Sequence, residues 1–344
     1  MSFLKPRFER SALDAAPKFR NALGEWFDRV GKDFPWRRTS EPYPVLVSEM
    51  MLQQTQVATV LGKGFYTRFL EKFPDIESLA IADDQSLLKA WEGLGYYRRA
   101  RMLRDTARAI AGKHGGTFPG DESTLLSLPG IGPYTASALR AFAFNQPSAL
   151  VDGNVSRILA RLMDDETPID STPGIRKHRE WARTLCDPER PARHHHAMME
   201  LGQNICRPGV PHCEACPVSP WCKTVVPENL PLKKPRAKLT DISEYAVWLL
   251  DEERGILLHQ ENGSRRNGLW KLPLRSPAEC ASLELAYQST YPITRYRVTL
   301  RVYHGNRSTD QIHEGDEWIS PHRLAELPLA APFRKAVEHL FLNS

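Results

Sequence analysis

Apolar side chains recur at helical spacing through most of the first two hundred residues. From residue 14 to 30 they fall at Phe19, Leu23, Trp26, Phe27 and Val30, the stripe of an amphipathic helix. Phe34-Pro-Trp36 breaks that pattern, because proline cannot continue a helix. A second helix is expected over 45–57. Shorter ones are expected over 66–73, 76–82 and 85–91, with a turn at Phe73-Pro-Asp75, and further helices over 155–165 and 176–186. Past residue 240 the period changes to two. Residues 245–250 and 255–259 flank an acidic turn, as in a β-hairpin. Residues 295–303 alternate, with Tyr296, Val298, Leu300 and Val302 on one face and Arg295, Arg297 and Arg301 on the other. A mainly α part followed by a smaller α+β domain is therefore expected.

Charge sharpens this division slightly. The 344 residues carry 46 Lys and Arg against 41 Asp and Glu. Residues 241–344 hold 12 basic and 14 acidic side chains, whereas the first 240 hold 34 and 27, so the surplus lies in the helical part. That placement suits contact with a polyanion. Between the parts, residues 223–240 contain three prolines, five basic residues and one acid, the composition of a semi-extended basic linker. No apolar run reaches membrane-spanning length and the first ten residues lack a signal-peptide core, so a cytoplasmic protein without a membrane partner is expected.

The candidate chemistry lies in a few short stretches of the helical part. In Leu128-Pro-Gly-Ile-Gly132, two glycines bracket an apolar residue ahead of an alanine-rich helix start. Unpaired amides would line that turn, and Gly130 and Gly132 would form a phosphate seat. With 121–127 as the first helix, residues 121–145 read as a helix-hairpin-helix. About twenty residues later a single acid, Asp152, ends an apolar approach. A carboxylate beside a phosphate-gripping hairpin suggests chemistry on a sugar-phosphate polymer; an Asp before Gly-Asn is also an ordinary cap. Glu49 is the only acidic or basic side chain between Glu41 and Lys63. On so apolar a helix it either faces water or is desolvated into a proton donor near neutral pH. Gly93-Leu-Gly-Tyr-Tyr-Arg-Arg-Ala-Arg101 interleaves aromatics with arginines, which suits base stacking and phosphate contact as well as a solvated basic helix start.

Six cysteines, four of them within 17 residues, do not form a disulfide framework. Cys206-x6-Cys213-x2-Cys216-x5-Cys222 has one tight pair flanked by wider gaps, closer to thiolates around an iron–sulfur cubane than to the paired knuckles of a zinc site. The loop it would pin presents Arg207 to a phosphate. Three adjacent histidines, 194–196, cannot all face one ion from a helix, and are expected at the surface or in packing.

Taken together, Ser48-Glu-Met-Met-Leu-Gln-Gln-Thr-Gln-Val57, Gly93-Leu-Gly-Tyr-Tyr97, Leu128-Pro-Gly-Ile-Gly-Pro-Tyr-Thr135, Val151-Asp-Gly-Asn-Val155 and the four-cysteine loop resemble the MutY-type adenine DNA glycosylases of the endonuclease III superfamily. The resemblance implies a helical glycosylase domain over 1–222 with a [4Fe-4S] loop over 206–222, a linker over 223–240 and a MutT-like recognition domain over 241–344. It implies two helical subdomains with the active site between them, Glu49 on one side and Asp152 on the other. Glu49 would protonate a flipped adenine and Asp152 would stabilise the sugar cation, with Tyr134 and Asn154 supporting the aspartate. Leu52, Gln54, Tyr96, Gly130, Gly132 and Arg207 would contact double-stranded DNA holding a mispaired adenine; Gln54 and Tyr96 would wedge into the stack. Cys206, Cys213, Cys216 and Cys222 would ligate the cluster. A nucleoid-associated monomer is expected. Relatives that also cut the strand carry a lysine where this chain has Tyr134, so base release without strand cleavage is implied.

The second domain departs from the family. The Phe-Ser-His loop that reads 8-oxoguanine is missing, and the comparable stretch is Tyr291-Pro-Ile-Thr-Arg295. Thr294 and Arg295 are the candidates for reading the base opposite adenine. No glutamate-rich pyrophosphohydrolase box is present, so this domain is expected to bind rather than hydrolyse. The alternatives are a glycosylase of altered mismatch specificity, such as thymine release from G·T, and a non-catalytic damage sensor.

Overall fold

The computed structural model describes residues 11–235, 238–263, 266–306 and 312–342. The opening residues, where no signal peptide is expected, lie outside the described ones. The chain divides into two compact units that interleave in sequence: Met1–Gln53 with Ala109–Pro235, and Gln54–Arg108 with Arg236–Ser344.

Twelve helices come first among the described residues: α1 (Ala16–Val30), α2 (Pro42–Leu52), α3 (Val57–Gly62), α4 (Phe65–Lys72), α5 (Ile76–Ala80), α6 (Asp84–Ala90), α7 (Arg98–His114), α8 (Glu122–Ser127), α9 (Pro133–Phe142), α10 (Gly153–Met163), α11 (Thr172–Leu185) and α12 (Pro191–Asn204). In the first unit, α1, α10, α11 and α12 bury a common core that includes Phe19, Leu23, Leu159, Leu185, Met198 and Leu201. Phe19, Leu23 and Trp26 of the expected stripe face that core, while Val30, at the helix end, is exposed. Helices α2 and α8 both pack on α9.

The helix expected over 45–57 is shorter at one end and longer at the other. Proline favours the first helical turn, so α2 begins at Pro42. It ends at Leu52, and the chain turns through Gln54 in the left-handed region, φ 58°, before α3. Neither glycine nor proline marks that corner, so periodicity runs through it.

In the second unit the C-terminal segment contributes β1 (Thr240–Trp248), β2 (Leu250–Asp251), β3 (Gly255–Gln260), β4 (Trp270–Lys271), β5 (Leu285–Ile293), β6 (Tyr296–His304), β7 (Asp316–Ile319), α13 (Pro321–Glu326) and α14 (Ala331–Leu342). One sheet has the order β1-β6-β5; in the other, β3 pairs with β2, β4 and β7. The expected hairpin forms only at its tip, Leu250–Asp251 against Gly255–Ile256. Residues 245–248 instead run parallel to β6, because the run Ala246-Val-Trp-Leu249 is buried and belongs inside the domain rather than in a half-solvated hairpin. The alternation in β6 holds: Val298, Leu300 and Val302 are fully buried and Arg297 is exposed. Leu88 of α6 shares a core with Trp248, Leu258, Trp270, Leu300 and Phe333.

Candidate active site

Helix α2 buries every residue from Val45 to Met51, so Glu49 has no route to bulk water along its own helix. Glu49 is only 5% exposed, and among the described residues its Oε2 has no hydrogen-bond partner. The Tyr134 hydroxyl, from the first turn of α9, donates to the carboxylate. Burial pushes the Glu49 pKa up to about 7, the charge of Asp152 adds to this, and the tyrosine hydrogen bond opposes it. The Tyr134 phenol is itself pushed far above its usual range, by burial and then by the two carboxylates. Glu49, Tyr134 and Asp152 are thus one electrostatic group within the first unit.

Asp152 is the N-cap of α10, so the ordinary structural reading of Asp-Gly-Asn also holds. Its Oδ1 accepts the Val155 amide at 2.7 Å and its Oδ2 accepts Asn154 Nδ2 at 3.2 Å. A cap alone acidifies a carboxylate. Asp121, the exposed N-cap of α8, shows this: the Thr124 amide at 2.8 Å holds it down to about 2. Asp152 goes the other way, because burial outweighs the hydrogen bonds of Val155 and Asn154 and the charge of Arg157. A cap with a raised pKa is a carboxylate kept partly desolvated, which is a functional-site signature.

The hairpin has the expected form. Gly130 sits at φ 79°, and Gly132 caps α9 without any side-chain acceptor, leaving amides at the helix start directed outward.

Two arginines that sequence reasoning passed over organise the surroundings. Arg157, nearly buried, donates from Nη2 to Asn154 Oδ1 at 2.9 Å and to Gly202 O at 2.8 Å, and from Nε to Cys206 O at 2.8 Å. One turn on, Arg161 is 2% exposed and donates to Arg207 O at 2.8 Å, Gly209 O at 2.9 Å, Leu230 O at 2.9 Å and Cys206 Sγ at 3.4 Å. The available signal was two arginines at i, i+4 on a helix with no other charged side chain. They hold the 206–209 backbone from inside and leave the Arg207 side chain exposed.

None of the six cysteines is in a disulfide. Cys206, Cys216 and Cys222 lie against the first unit's core, beside Trp221, which meets Phe19 edge-on at 6.2 Å. Burial pushes the Cys216 thiol up to about 12, and Cys206, Cys222 and Cys213 add to the shift, so the four sulfurs share one electrostatic environment. Thiolates there need a metal to stabilise them. Among the described residues no three His, Cys, Asp or Glu side chains form a site for a single metal ion. A cubane binds each thiolate to a different iron, so it does not need that convergence. The all-thiol donor set, with the Arg161 donor on Cys206, fits such a group.

The other candidates are placed as follows. Leu52 is half-buried at the end of α2, in the first unit. Gln54 and Tyr96 are exposed in the second unit, both with left-handed backbones. Thr294, at φ 52°, and Arg295 form the exposed β5–β6 turn, and Arg295 lies over the Tyr296 ring at 5.3 Å. His194 and His195 are buried packing residues, and His196 stacks on Phe142 at 4.3 Å. Among the described residues no helix is long and apolar enough to cross a membrane.

Residues 47–182 match the HhH-GPD superfamily of base excision DNA repair proteins. Over 216 residues the chain is 42% identical to the adenine DNA glycosylase of Mus musculus, with 60% of this chain and 41% of that protein covered. Over 260 residues it is 32% identical to the adenine DNA glycosylase of Buchnera aphidicola subsp. Baizongia pistaciae, covering 74% of this chain and 71% of that protein. A solved structure of a thermostable thymine-DNA glycosylase is 28% identical with a TM-score of 0.57, over 64% of this chain and 100% of that one. The chain belongs to the helix-hairpin-helix glycosylases of the MutY type. It spans about two fifths of the length of its mammalian relatives. Proteins of this type usually carry a [4Fe-4S] cluster.

Proposed function

We propose that this protein is a monofunctional DNA glycosylase that releases adenine mispaired with 8-oxoguanine or guanine in double-stranded DNA. The observation that carries the reading is Glu49: a buried carboxylic acid with an unused oxygen and a pKa of about 7, beside Tyr134 and Asp152.

An acid of that pKa is protonated in a useful fraction at neutral pH and gives up its proton readily. With the adenine flipped out of the duplex, Glu49 donates its proton to N7. The C1′–N9 bond breaks and its electron pair leaves with the base. Asp152, held by Val155 and Asn154, places negative charge against the resulting sugar cation, directly or through a transient bond to C1′. Water then adds at C1′ and returns a proton to Glu49. Tyr134 donates to Glu49 and offers no amine, so no Schiff base forms and the strand stays intact. Gly130, Gly132 and Arg207 grip phosphate, and Leu52, Gln54 and Tyr96 meet the opened stack. Cys206, Cys213, Cys216 and Cys222 would hold a [4Fe-4S] cluster, whose contribution when bound is to lock the loop that carries Arg207. Thr294 and Arg295 are the proposed readers of the opposite base.

The test is single-turnover base release from duplexes with adenine opposite 8-oxoguanine, guanine or cytosine, with a G·T duplex alongside. Release of free adenine opposite 8-oxoguanine or guanine supports the reading, and release of thymine alone sinks it. The likeness to a thymine-DNA glycosylase favours G·T as the second reading.

A further inference from the structure

Tyr96 is a large aromatic, 55% exposed, held at φ 49° on a loop whose glycines, Gly93 and Gly95, also have positive φ. Left to itself, such a loop would relax to many conformations. Two sets of contacts within the second unit prevent this. On one side, Trp91 Nε1 donates to Gly95 O at 3.1 Å, and Arg99 Nη2 reaches Leu94 O and Gly95 O at 3.3 Å and Thr55 Oγ1 at 3.2 Å.

The other side is tied to the C-terminal segment. Glu92 Oε1 accepts the Leu329 amide at 2.9 Å and Arg334 Nε and Nη2 at 2.9 and 2.7 Å. Arg334 Nη2 also reaches Leu327 O at 3.0 Å, and Tyr97 OH donates to Leu329 O at 3.4 Å. Residues 328–330 are themselves fastened to β4, through Trp270 N to Pro328 O at 2.9 Å and Ala330 N to Trp270 O at 3.0 Å. The residues flanking Tyr96 on both sides, Glu92 and Tyr97, are therefore anchored to the sheet domain.

We propose that the C-terminal domain positions Tyr96 for insertion into the duplex through the Glu92–Arg334 and Tyr97–Leu329 contacts, with Arg334 and Glu92 as positioning residues. The domain then contributes to base unstacking without touching the target base. This rests on the DNA reading above.

The experiment uses the full chain with Arg334→Ala and Glu92→Gln; the second keeps the side-chain shape should the first fold poorly. Amide hydrogen exchange over 93–97 is expected to speed up at least tenfold in both, with exchange in α9 unchanged and Arg334→Lys retaining most protection. Unchanged exchange over 93–97 overturns the proposal whether or not the chain acts on DNA. On a mispaired duplex carrying 2-aminopurine beside the adenine, Arg334→Ala is expected to lose the fluorescence rise to the same extent as Tyr96→Ala, and the double variant to lose no more. Additive losses overturn it. A wild-type chain that unstacks no duplex sinks the glycosylase reading, and the exchange result still decides the positioning claim.

Discussion

Glu49 illustrates how one side chain couples chemistry to stability. Its raised pKa means that the folded state holds a proton the unfolded chain has already lost between about pH 4.5 and 7. Stability linked to this group is therefore fully present below pH 4.5 and is lost as pH rises to about 7, by roughly 3 kcal/mol. Glu49→Gln removes that penalty. It is expected to be more stable than the parent at pH 8 by up to about that amount, with the gap closing near pH 4.5, as urea unfolding at the two pH values will show. The same substitution is expected to slow base release by roughly 10²–10⁴-fold. In the parent, single-turnover rate should fall about tenfold per pH unit above about 7, as the acid form is depleted. Asp152→Asn should abolish release while leaving duplex binding in place. That Glu49 and Asp152 were candidates was legible from their apolar sequence surroundings. That Tyr134 bridges to Glu49 was not, because residues 49 and 134 meet only through the packing of α2 on α9.

At the level of elements, the crossing of α10 and α12 sets the aspartate's support. A Cβ on Gly202 would come within 2.7 Å of Asn154 Cβ, a contact that neither helix can relieve without shifting. Gly202→Ala is expected to cost roughly 1–3 kcal/mol in thermal unfolding and to slow release at least tenfold by displacing Asn154 from Asp152. Had Gly202 served only as a helix filler, alanine would stabilise α12 instead. The corner at Gln54 makes the opposite case. Its left-handed backbone is strained for a side chain, so Gln54→Gly should hold or raise stability by no more than ~1 kcal/mol, read from the denaturant midpoint, while weakening binding to a mispaired duplex. Periodicity could not find this corner, since a left-handed residue without glycine leaves no compositional mark.

For the whole molecule, the cysteine loop is joined to Asn154, which supports Asp152, through Arg157, and is held again by Arg161, rather than by sequence proximity. Cys213→Ser is expected to lower duplex affinity by freeing the loop that carries Arg207, with Glu49 keeping its raised pKa in the pH profile; unchanged affinity in a cluster-free preparation would count against this. By itself the sequence determined the helical stripes, the helix-hairpin-helix, the cap at Asp152 and the alternation of β6. Each is closed by hydrogen bonds or side-chain periodicity within a few residues, so composition and spacing carry it. Tertiary structure alone decided that residues 54–108 share a compact unit with 236–344, that β1 runs parallel to β6, and that Arg157, Arg161 and Arg334 act where they do. Those arrangements come from burying apolar surface and pairing buried charge between segments up to 242 residues apart, as Glu92 and Arg334 are, and no local pattern records such a choice.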